Sequence, residues 1–183
     1  EYRLRPNPEH FLDVPSGTIY QPDVYRLAEF VARRAGARYV VDVGCGAGVK
    51  LAAMADSLEL VCIDTPVTLE SARQVVPGAT LIPWDLENGL PRLEPSVLAS
   101  AVVICADVLE HLRHPDHLAR DLATIADRVP AMLVSTPDRD RARGVHDFGP
   151  PANPAHVLEW SLGEFVRFLG DCGMQNTSFA GHT

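Results

Sequence analysis

Apolar residues along the chain follow two alternating patterns. Short runs that are apolar almost throughout occur at 38–43, 59–64, 79–84, 100–106 and 131–136. Around and between these runs, apolar residues recur at helical spacing, which predicts helices over 23–35, 48–58, 68–76, 116–129 and 161–173. Strands that are apolar on both faces and alternate with helices are typical of a parallel sheet covered on both sides. The pattern therefore predicts a doubly wound α/β domain of Rossmann-like class, with its ligand at the carboxyl ends of the strands.

Local signals predict where several of these elements begin and end. Asp23 is the predicted N-cap of the first helix, and Gly36 ends it. Ser161 followed by Glu164 predicts a capping box at the start of the last helix. The segment 174–183 is interpreted as a final strand that is cut short.

Two stretches depart from the alternation. Residues 1–22 contain four prolines and a glycine and are predicted to form an irregular leader. Residues 137–160 contain four prolines and two glycines, and so long a loop inside a compact domain is usually functional. We predict that this loop forms the wall or lid of a site for a second substrate. Because the 183 residues suffice for one domain and the first residue is Glu1 rather than Met, we expect a single domain that is a fragment of a longer chain.

Composition narrows the functional classes. The chain is 46% hydrophobic and 22% charged, and no apolar run approaches the roughly 18 residues of a spanning helix. Its formal charge of −8 argues against long nucleic acid as a partner. The mixed-sign patch at 138–144 is interpreted as a solvated loop, with a clamp for a phosphate-bearing substrate as the alternative. The cysteines have no metal-ligand spacing and favour buried reduced thiols in a cytoplasmic protein; they are Cys45, Cys62, Cys105 and Cys172.

The candidate chemistry begins with a glycine turn after the first strand. In "VVDVGCGAG", Gly44, Gly46 and Gly48 stand at alternate positions, which permits a tight turn and close approach of the backbone to a ligand. A dinucleotide fingerprint, GxGxxG, would need a third glycine where Val49 stands. Asp64 ends the second strand and Asp85 follows the third, which suits hydrogen bonds to a ribose and to an adenine amino group. The alternative for both acids is a capping or surface role.

These segments together resemble the class I S-adenosylmethionine-dependent methyltransferases, in their small-molecule branch. "VVDVGCGAG" resembles the family's motif I, "VCID" its motif II and "IPWDLE" its adenine-binding segment, while "ICADVLEHLRHPDHLARDL" resembles its "DVLEHL" segment. The resemblance covers about 23–179, and it implies S-adenosylmethionine as the cofactor. It also implies a set of cofactor-binding residues: Asp42, Gly44, Cys45, Gly46, Gly48, Asp64, Thr65, Trp84, Asp85, Leu86, Ala106, Asp107 and, as a cover from the leader, Tyr20.

The resemblance also places His111 at the rim of the cofactor pocket, where it is the first candidate for a general base. His156 and His146, in the predicted loop, are the alternatives, and a purely local role for His111 is equally open. His111, His114 and His117 recur every three residues, but Pro115 interrupts any helix between them. We therefore expect no metal.

The predicted function is in-line transfer of a methyl group to an oxygen of a small molecule or a sugar or glycan unit. "GPPANPAHVLEW" resembles segments of bacterial methyltransferases linked with cell-surface sugars or natural products. One alternative is a cofactor-binding domain of a larger polypeptide without turnover, fused to or associated with a further domain. Others are an N-methyltransferase and a nicotinamide-dependent oxidoreductase, the latter disfavoured by Val49 and by "DVLEHL".

Overall fold

The computed structural model describes residues 2–9, 21–175 and 177–179. Five parallel strands form one sheet in the order β3-β2-β1-β4-β5. The strands are β1 (Tyr39–Val43), β2 (Glu59–Asp64), β3 (Thr80–Pro83), β4 (Ala101–Ala106) and β5 (Ala131–Ser135). The helices are α1 (Pro22–Ala35), α2 (Pro66–Val75), α3 (Pro95–Leu98), α4 (Pro115–Ile125), α5 (Arg139–Arg143) and α6 (Leu162–Asp171). The predicted doubly wound α/β class is confirmed.

The sheet separates two apolar clusters, because successive side chains of a strand point to opposite faces. On one face Val41 and Val43 pack in the cluster that contains side chains of α3, α4 and α6. On the other face Val40 packs in the cluster that contains side chains of α1 and α2. Both faces of the central strands are thus covered, which explains why those strands are apolar at almost every position. Among the described helices, none has both the length and the apolar character needed to cross a membrane.

Of the three helix-end signals predicted from local residues, those at Gly36 and Ser161 are confirmed and the one at Asp23 is wrong. Gly36 closes α1 in the left-handed conformation (φ 62°), and Ser161 and Glu164 form the predicted capping box of α6. Asp23 is not the N-cap: α1 begins one residue earlier, at Pro22, because proline is favoured in the first helical position. Asp23 instead lies in the first turn, 2.8 Å from the Arg26 guanidinium.

Two predicted elements differ from the structure. The helix predicted over 48–58 is a 3₁₀ helix, Val49–Met54, which follows directly on the left-handed Gly48 and is tightened by i+3 hydrogen bonds. The strand predicted over 174–183 is wrong for the described residues 174–175 and 177–179, which lie in no strand. The Met174 N–H donates to the carbonyl of Leu169, so the chain turns back onto the end of α6.

The loop 137–160 is tied down by residues 2–9. The backbone N–H groups of Arg3, Arg5 and Glu9 donate to carbonyls at Phe148, Val157 and Pro154, over 2.6, 2.9 and 2.9 Å. The described part of the predicted leader therefore packs as a strap along this loop.

The interpretation of the charged patch at 138–144 as a solvated loop holds for Arg141, whose side chain is 52% exposed, but neither interpretation fits the other two arginines. Arg139 is 4% exposed and lies 2.8 Å from Glu164, and Arg143 lies 2.7 Å from Glu159. These guanidinium groups are buried in internal ion pairs because the loop folds back over α5. All four cysteines are buried and free, as predicted.

Candidate functional site

A cavity of about 820 Å³ opens at the carboxyl ends of β1, β2 and β4. This is the point at which the strand order reverses, because the chain passes from β1 to one side of the sheet and later returns to β4 on the other. Its volume lies within the roughly 300–1,000 Å³ that small-molecule sites occupy. The cavity is lined by the loops after the strands, by residues of the strap and by residues of the loop 137–160.

The glycine turn forms the floor of this cavity. Gly44, Gly46 and Gly48 all have positive φ, at 82°, 57° and 74°. A Cβ on Gly44 would lie 2.3 Å from a methyl carbon of Val108, so the backbone here approaches the loop after β4 as closely as glycine allows.

Asp64 links the end of β2 to this turn. One of its carboxylate oxygens accepts a hydrogen bond from the N–H of Gly46 over 2.9 Å, and the other accepts from the N–H of Thr65 over 2.7 Å. Thr65 is also the N-cap of α2, where its hydroxyl accepts from the N–H of Thr68. The predicted second-strand acid therefore lies at the cavity wall and also holds the turn in place.

The predicted adenine-binding segment follows β3. Trp84 is 37% exposed, and its indole N–H donates to the carbonyl of Gly89 over 2.9 Å. Asp85 is exposed and accepts from the N–H of Glu87, so it caps the 3₁₀ helix Leu86–Asn88. Asp85 thus combines the capping role with a position at the cavity.

Asp42 lies behind the glycine turn rather than at the cavity. It is 1% exposed and accepts a hydrogen bond from the Tyr25 hydroxyl over 2.9 Å. Burial raises the pKa of the Asp42 carboxyl group to about 7, against the opposing effects of Lys50 and of the Tyr25 hydrogen bond. Lys50, which the sequence analysis missed, lines the cavity and lies 4.7 Å from the centre of the Tyr25 ring.

The structure brings most of the predicted site residues together. The residues that line the cavity are Gly44, Cys45, Gly46, Asp64, Thr65, Trp84, Asp85, Leu86, Asp107, His111 and His156. Asp42, Gly48 and Ala106 are adjacent in the chain but are not part of the lining. His146 is exposed and lies outside the cavity, which argues against it as a base. Tyr20 falls outside the described residues.

His111 faces the cavity as a neutral imidazole. Its Nδ1 lies 3.0 Å from the carbonyl oxygen of Ala155. Because a carbonyl only accepts, Nδ1 carries the proton and Nε2 carries the lone pair. Burial lowers the pKa of His111 to about 4, so the ring is neutral near pH 7 and is a weak base.

His156 lies edge-on to His111, with ring centroids 4.7 Å apart. Its Nδ1 lies 2.8 Å from a carboxylate oxygen of Glu159, and its Nε2 lies 3.0 Å from the amide nitrogen of Asn153. The Asn153 oxygen accepts from the N–H of Ala155, which fixes the amide so that its nitrogen donates to His156. His156 therefore has its proton on Nδ1, as His111 does.

Glu110 is the functional candidate that the sequence analysis missed. It lines the cavity and is 0% exposed, and neither of its carboxylate oxygens makes a hydrogen bond of ordinary geometry with a described residue. The Thr136 hydroxyl and a backbone N–H lie near enough to favour the ionised form, but they do not offset its burial. Burial, followed by repulsion from Asp107, raises the pKa of the Glu110 carboxyl group well above its usual range. Asp107 itself has a positive φ of 56° and accepts a hydrogen bond from the Gln21 side chain. The "DVLEHL" segment was the available signal, but it did not reveal which of its acids face the cavity.

Comparisons with known proteins agree with this architecture. A family model described as "Methyltransferase domain" matches residues 20–178. Probable S-adenosylmethionine-dependent methyltransferases from two strains of Mycobacterium tuberculosis are each 28% identical over 153 residues. The aligned part covers 82% of this chain and 54% of each relative, so the chain spans about half the length of these relatives.

Solved structures share the fold at low sequence identity. The methyltransferase domain of a bacterial Hen1 is 20% identical, with a TM-score of 0.61 over 83% of each chain. An O-methyltransferase of neocarzinostatin biosynthesis, in complex with S-adenosylmethionine and 2-hydroxy-5-methyl naphthoic acid, is 20% identical and scores 0.58 over 76% of this chain and 44% of that one. The N-terminal domain of EvdMO1, crystallised with S-adenosylhomocysteine and D-fucose, is 21% identical and scores 0.57 over 85% of this chain and 74% of that one.

Proposed function

The chain belongs to the methyltransferase-domain family, and from this premise we propose that it transfers the methyl group of S-adenosylmethionine to a hydroxyl group of a small molecule or a sugar unit. The observation that carries the proposal is the division of one cavity into two chemically different sides. The glycine turn, Asp64 and Asp85 form a side suited to a nucleoside. His111, Asn153 and His156 form a side suited to a polar acceptor.

The nucleoside side offers both hydrogen-bond acceptors and apolar surface. Asp64 presents carboxylate oxygens, each of which can accept more than one hydrogen bond, to the two hydroxyls of a ribose. Trp84 and Leu86 supply flat and apolar surface for an adenine ring, with Asp85 beside them for its amino group. The positive-φ glycines leave room for the methionine part of the cofactor against the backbone.

The acceptor side favours a neutral nucleophile. Glu110 and Asp107 line this side, so an anionic acceptor would meet like charge whenever these carboxyl groups are ionised. Among proteins of the same fold, one was crystallised with a hydroxynaphthoic acid and another with D-fucose, and both compounds carry hydroxyl groups. These observations support a hydroxyl acceptor.

The chemistry requires mainly alignment, because the sulfonium already activates the methyl group. The acceptor oxygen attacks the methyl carbon as the carbon–sulfur bond breaks, and S-adenosylhomocysteine leaves as a neutral thioether. Holding the reacting atoms in line can supply roughly 7–11 kcal/mol of the barrier reduction. The acceptor proton must also leave, and His111 Nε2 is the group that the sequence analysis assigned to accept it.

The cofactor assignment is tested by calorimetric titration with S-adenosylhomocysteine. Asp64→Ala removes the acceptor of two backbone N–H groups and of the ribose, so we expect at least a tenfold loss of affinity, about 1.4 kcal/mol or more. Glu70→Gln on α2, an exposed carboxylate outside the cavity, is the matched control and should bind as the unaltered chain does. Equal affinity in Asp64→Ala would show that the cofactor lies elsewhere.

The transfer itself is tested by incubating the chain with methyl-labelled S-adenosylmethionine and a panel of phenols, sugars and amines. Label in phenols or sugars supports the proposal, and label confined to amines would establish N-methylation instead. Tight binding of S-adenosylhomocysteine without transfer to any acceptor would favour the cofactor-binding domain without turnover.

A further inference from the structure

We propose that Glu110, His111 and His156 bind a divalent metal cation on the acceptor side of the cavity. The inference rests on the proposed methyl transfer and specifies how the acceptor hydroxyl is activated. Ligand-capable atoms of these three side chains all lie within 4.8 Å of one another. Two nitrogen or oxygen ligands at about 2.1 Å from one cation lie at most about 4.2 Å apart, so a small contraction assembles the site.

A metal-binding histidine usually donates the N–H of its other ring nitrogen to a carbonyl or a carboxylate, and both histidines make such a hydrogen bond. His111 donates from Nδ1 to the carbonyl of Ala155, and His156 donates from Nδ1 to Glu159. Each ring is thereby fixed in the tautomer that presents Nε2 as the ligand atom. The Arg143 guanidinium lies 2.7 Å from the other oxygen of the Glu159 carboxylate, and this ion pair fixes the carboxylate that orients His156.

Glu110 has the environment of a carboxylate that lacks its counter-ion. It is 0% exposed, and its two oxygens make no hydrogen bond of ordinary geometry with a described residue. A buried carboxylate without a partner is costly, and the cost falls when a cation binds it.

The Asn153 side chain makes the hydrogen bond to His156 that a bound cation would replace. Its amide nitrogen donates to Nε2 of His156 over 3.0 Å, and thus engages the lone pair that would otherwise bind the metal. Coordination requires the Asn153 side chain to swing away from His156. The expectation of no metal rested on the histidines at 111, 114 and 117, whereas the proposed site takes His156 from a loop 45 positions beyond His111.

Two imidazoles and one carboxylate favour a borderline cation such as Mn²⁺, Fe²⁺, Co²⁺ or Zn²⁺. Three protein ligands leave at least one coordination position for the acceptor oxygen. Binding to the cation lowers the pKa of the acceptor hydroxyl, whose proton passes to solvent. The oxygen then forms its bond to the methyl carbon while the electron pair of the carbon–sulfur bond stays on sulfur. His111 acts here as a ligand and does not take the proton.

The test is a titration of the chelator-treated, desalted chain with Mn²⁺, in which free Mn²⁺ is followed by electron paramagnetic resonance. We expect one equivalent to bind. Glu110→Gln and His156→Gln should each lose at least about tenfold in affinity, since each removes a ligand. The exposed His146→Gln is the control and should bind Mn²⁺ unchanged. Retained binding of S-adenosylhomocysteine by each variant confirms that it is folded.

Two outcomes would overturn the inference: no saturable Mn²⁺ binding, or equal binding by Glu110→Gln and the unaltered chain. Methyl transfer that is unaffected by the chelator would likewise overturn the activating role and return the base role to His111. These failures differ from failure of the proposed function, which would show as absent S-adenosylhomocysteine binding or absent transfer even with Mn²⁺ added.

Discussion

Asp42 lies in the core directly behind the glycine turn, where its surroundings oppose ionisation. Its side chain shares the sheet face with α1 and accepts a hydrogen bond from Tyr25. Burial raises the pKa of Asp42 to about 7, about three units above that of an exposed aspartate. The ionised form is therefore less stable in the folded chain than in the unfolded chain.

This shift predicts a pH-dependent stability difference. The contribution of Asp42 to the stability of the folded chain is fully present below about pH 4, where the carboxyl group is protonated in both states. It is lost as the pH rises through about 7, because the group must then ionise in a buried position. Asp42→Asn keeps an acceptor for Tyr25 but cannot ionise. As the pH rises through this range, the free energy of unfolding of the variant should therefore increase relative to that of the unaltered chain, by on the order of 4 kcal/mol. Urea unfolding between about pH 4 and pH 8 measures the difference. The exposed Asp56→Asn should follow the unaltered chain, and parallel curves for Asp42→Asn would contradict the prediction.

Single residues were predicted best where the chemistry follows directly on a strand. Asp64 and Asp107 end β2 and follow β4, and both line the cavity. Glu110 was missed because its burial is set by a distant loop: its carbonyl accepts from the N–H groups of Val157 and Leu158. Contacts between segments so far apart in the chain leave no local pattern in the sequence.

Among the elements, the turn after β1 and the loop after β4 depend on each other. Gly44 has a φ of 82° and lies so close to Val108 that a Cβ would meet a valine methyl at 2.3 Å. The two loops border the same cavity, so their separation determines its shape.

Gly44→Ala should therefore destabilise the chain in two separable ways. The left-handed backbone costs alanine roughly 1–2 kcal/mol, and the clash with Val108 adds to this cost. Val108→Ala in the same chain should relieve the clash but not the backbone cost, so the double variant should recover part of the loss. Thermal unfolding and S-adenosylhomocysteine titration measure both effects.

Gly78→Ala is the matched control, because no atom lies within 4 Å of its Cβ position. It should leave stability and affinity nearly unchanged. Unchanged stability in Gly44→Ala would mean that the turn is not held as described.

Element boundaries were predictable wherever apolar runs are bounded by glycine, proline or acids. The run at 59–64 coincides with β2, β3 is one residue shorter at both ends than predicted, and β1, β4 and β5 are each one residue shorter at one end. The type of the segment after Gly48 was not predictable, because its apolar spacing fits an α-helix while the left-handed turn before it selects 3₁₀ geometry. Asp23 shows the same limit: it is an acceptable N-cap in isolation, but Pro22 already occupies the first helical position.

On the scale of the whole molecule, the strap formed by residues 2–9 joins the start of the described chain to the loop 137–160. Besides its backbone hydrogen bonds, the Arg3 and Arg5 side chains donate to the carbonyls of Gly149 and Pro151 over 2.7 and 2.6 Å. The strap thereby holds the loop that carries His156.

Removing residues 1–9 should loosen this loop and leave the sheet intact. We expect faster amide hydrogen exchange at 148–159 and no change in β1 and β4, since the hydrogen bonds described for residues 2–9 end on the loop. Arg3→Ala combined with Arg5→Ala keeps the backbone bonds and should give a smaller effect. Exchange that stays slow throughout the loop after the deletion would show that the loop is held by its own contacts, such as those of Arg143 with Glu159 and Asp147.

The strap has a consequence for how this scaffold can change its acceptor. The residues proposed to bind the nucleoside come from the loops after the first three strands, whereas those proposed to face the acceptor come from the loop after β4 and the loop 137–160, which the strap holds. If the loop 137–160 alone were replaced by that of a relative, the new loop would lack the matching strap that holds it in place. Productive chimeras should therefore exchange the strap and the loop as a pair, and natural diversification of acceptor choice should leave correlated substitutions in these two distant stretches of sequence.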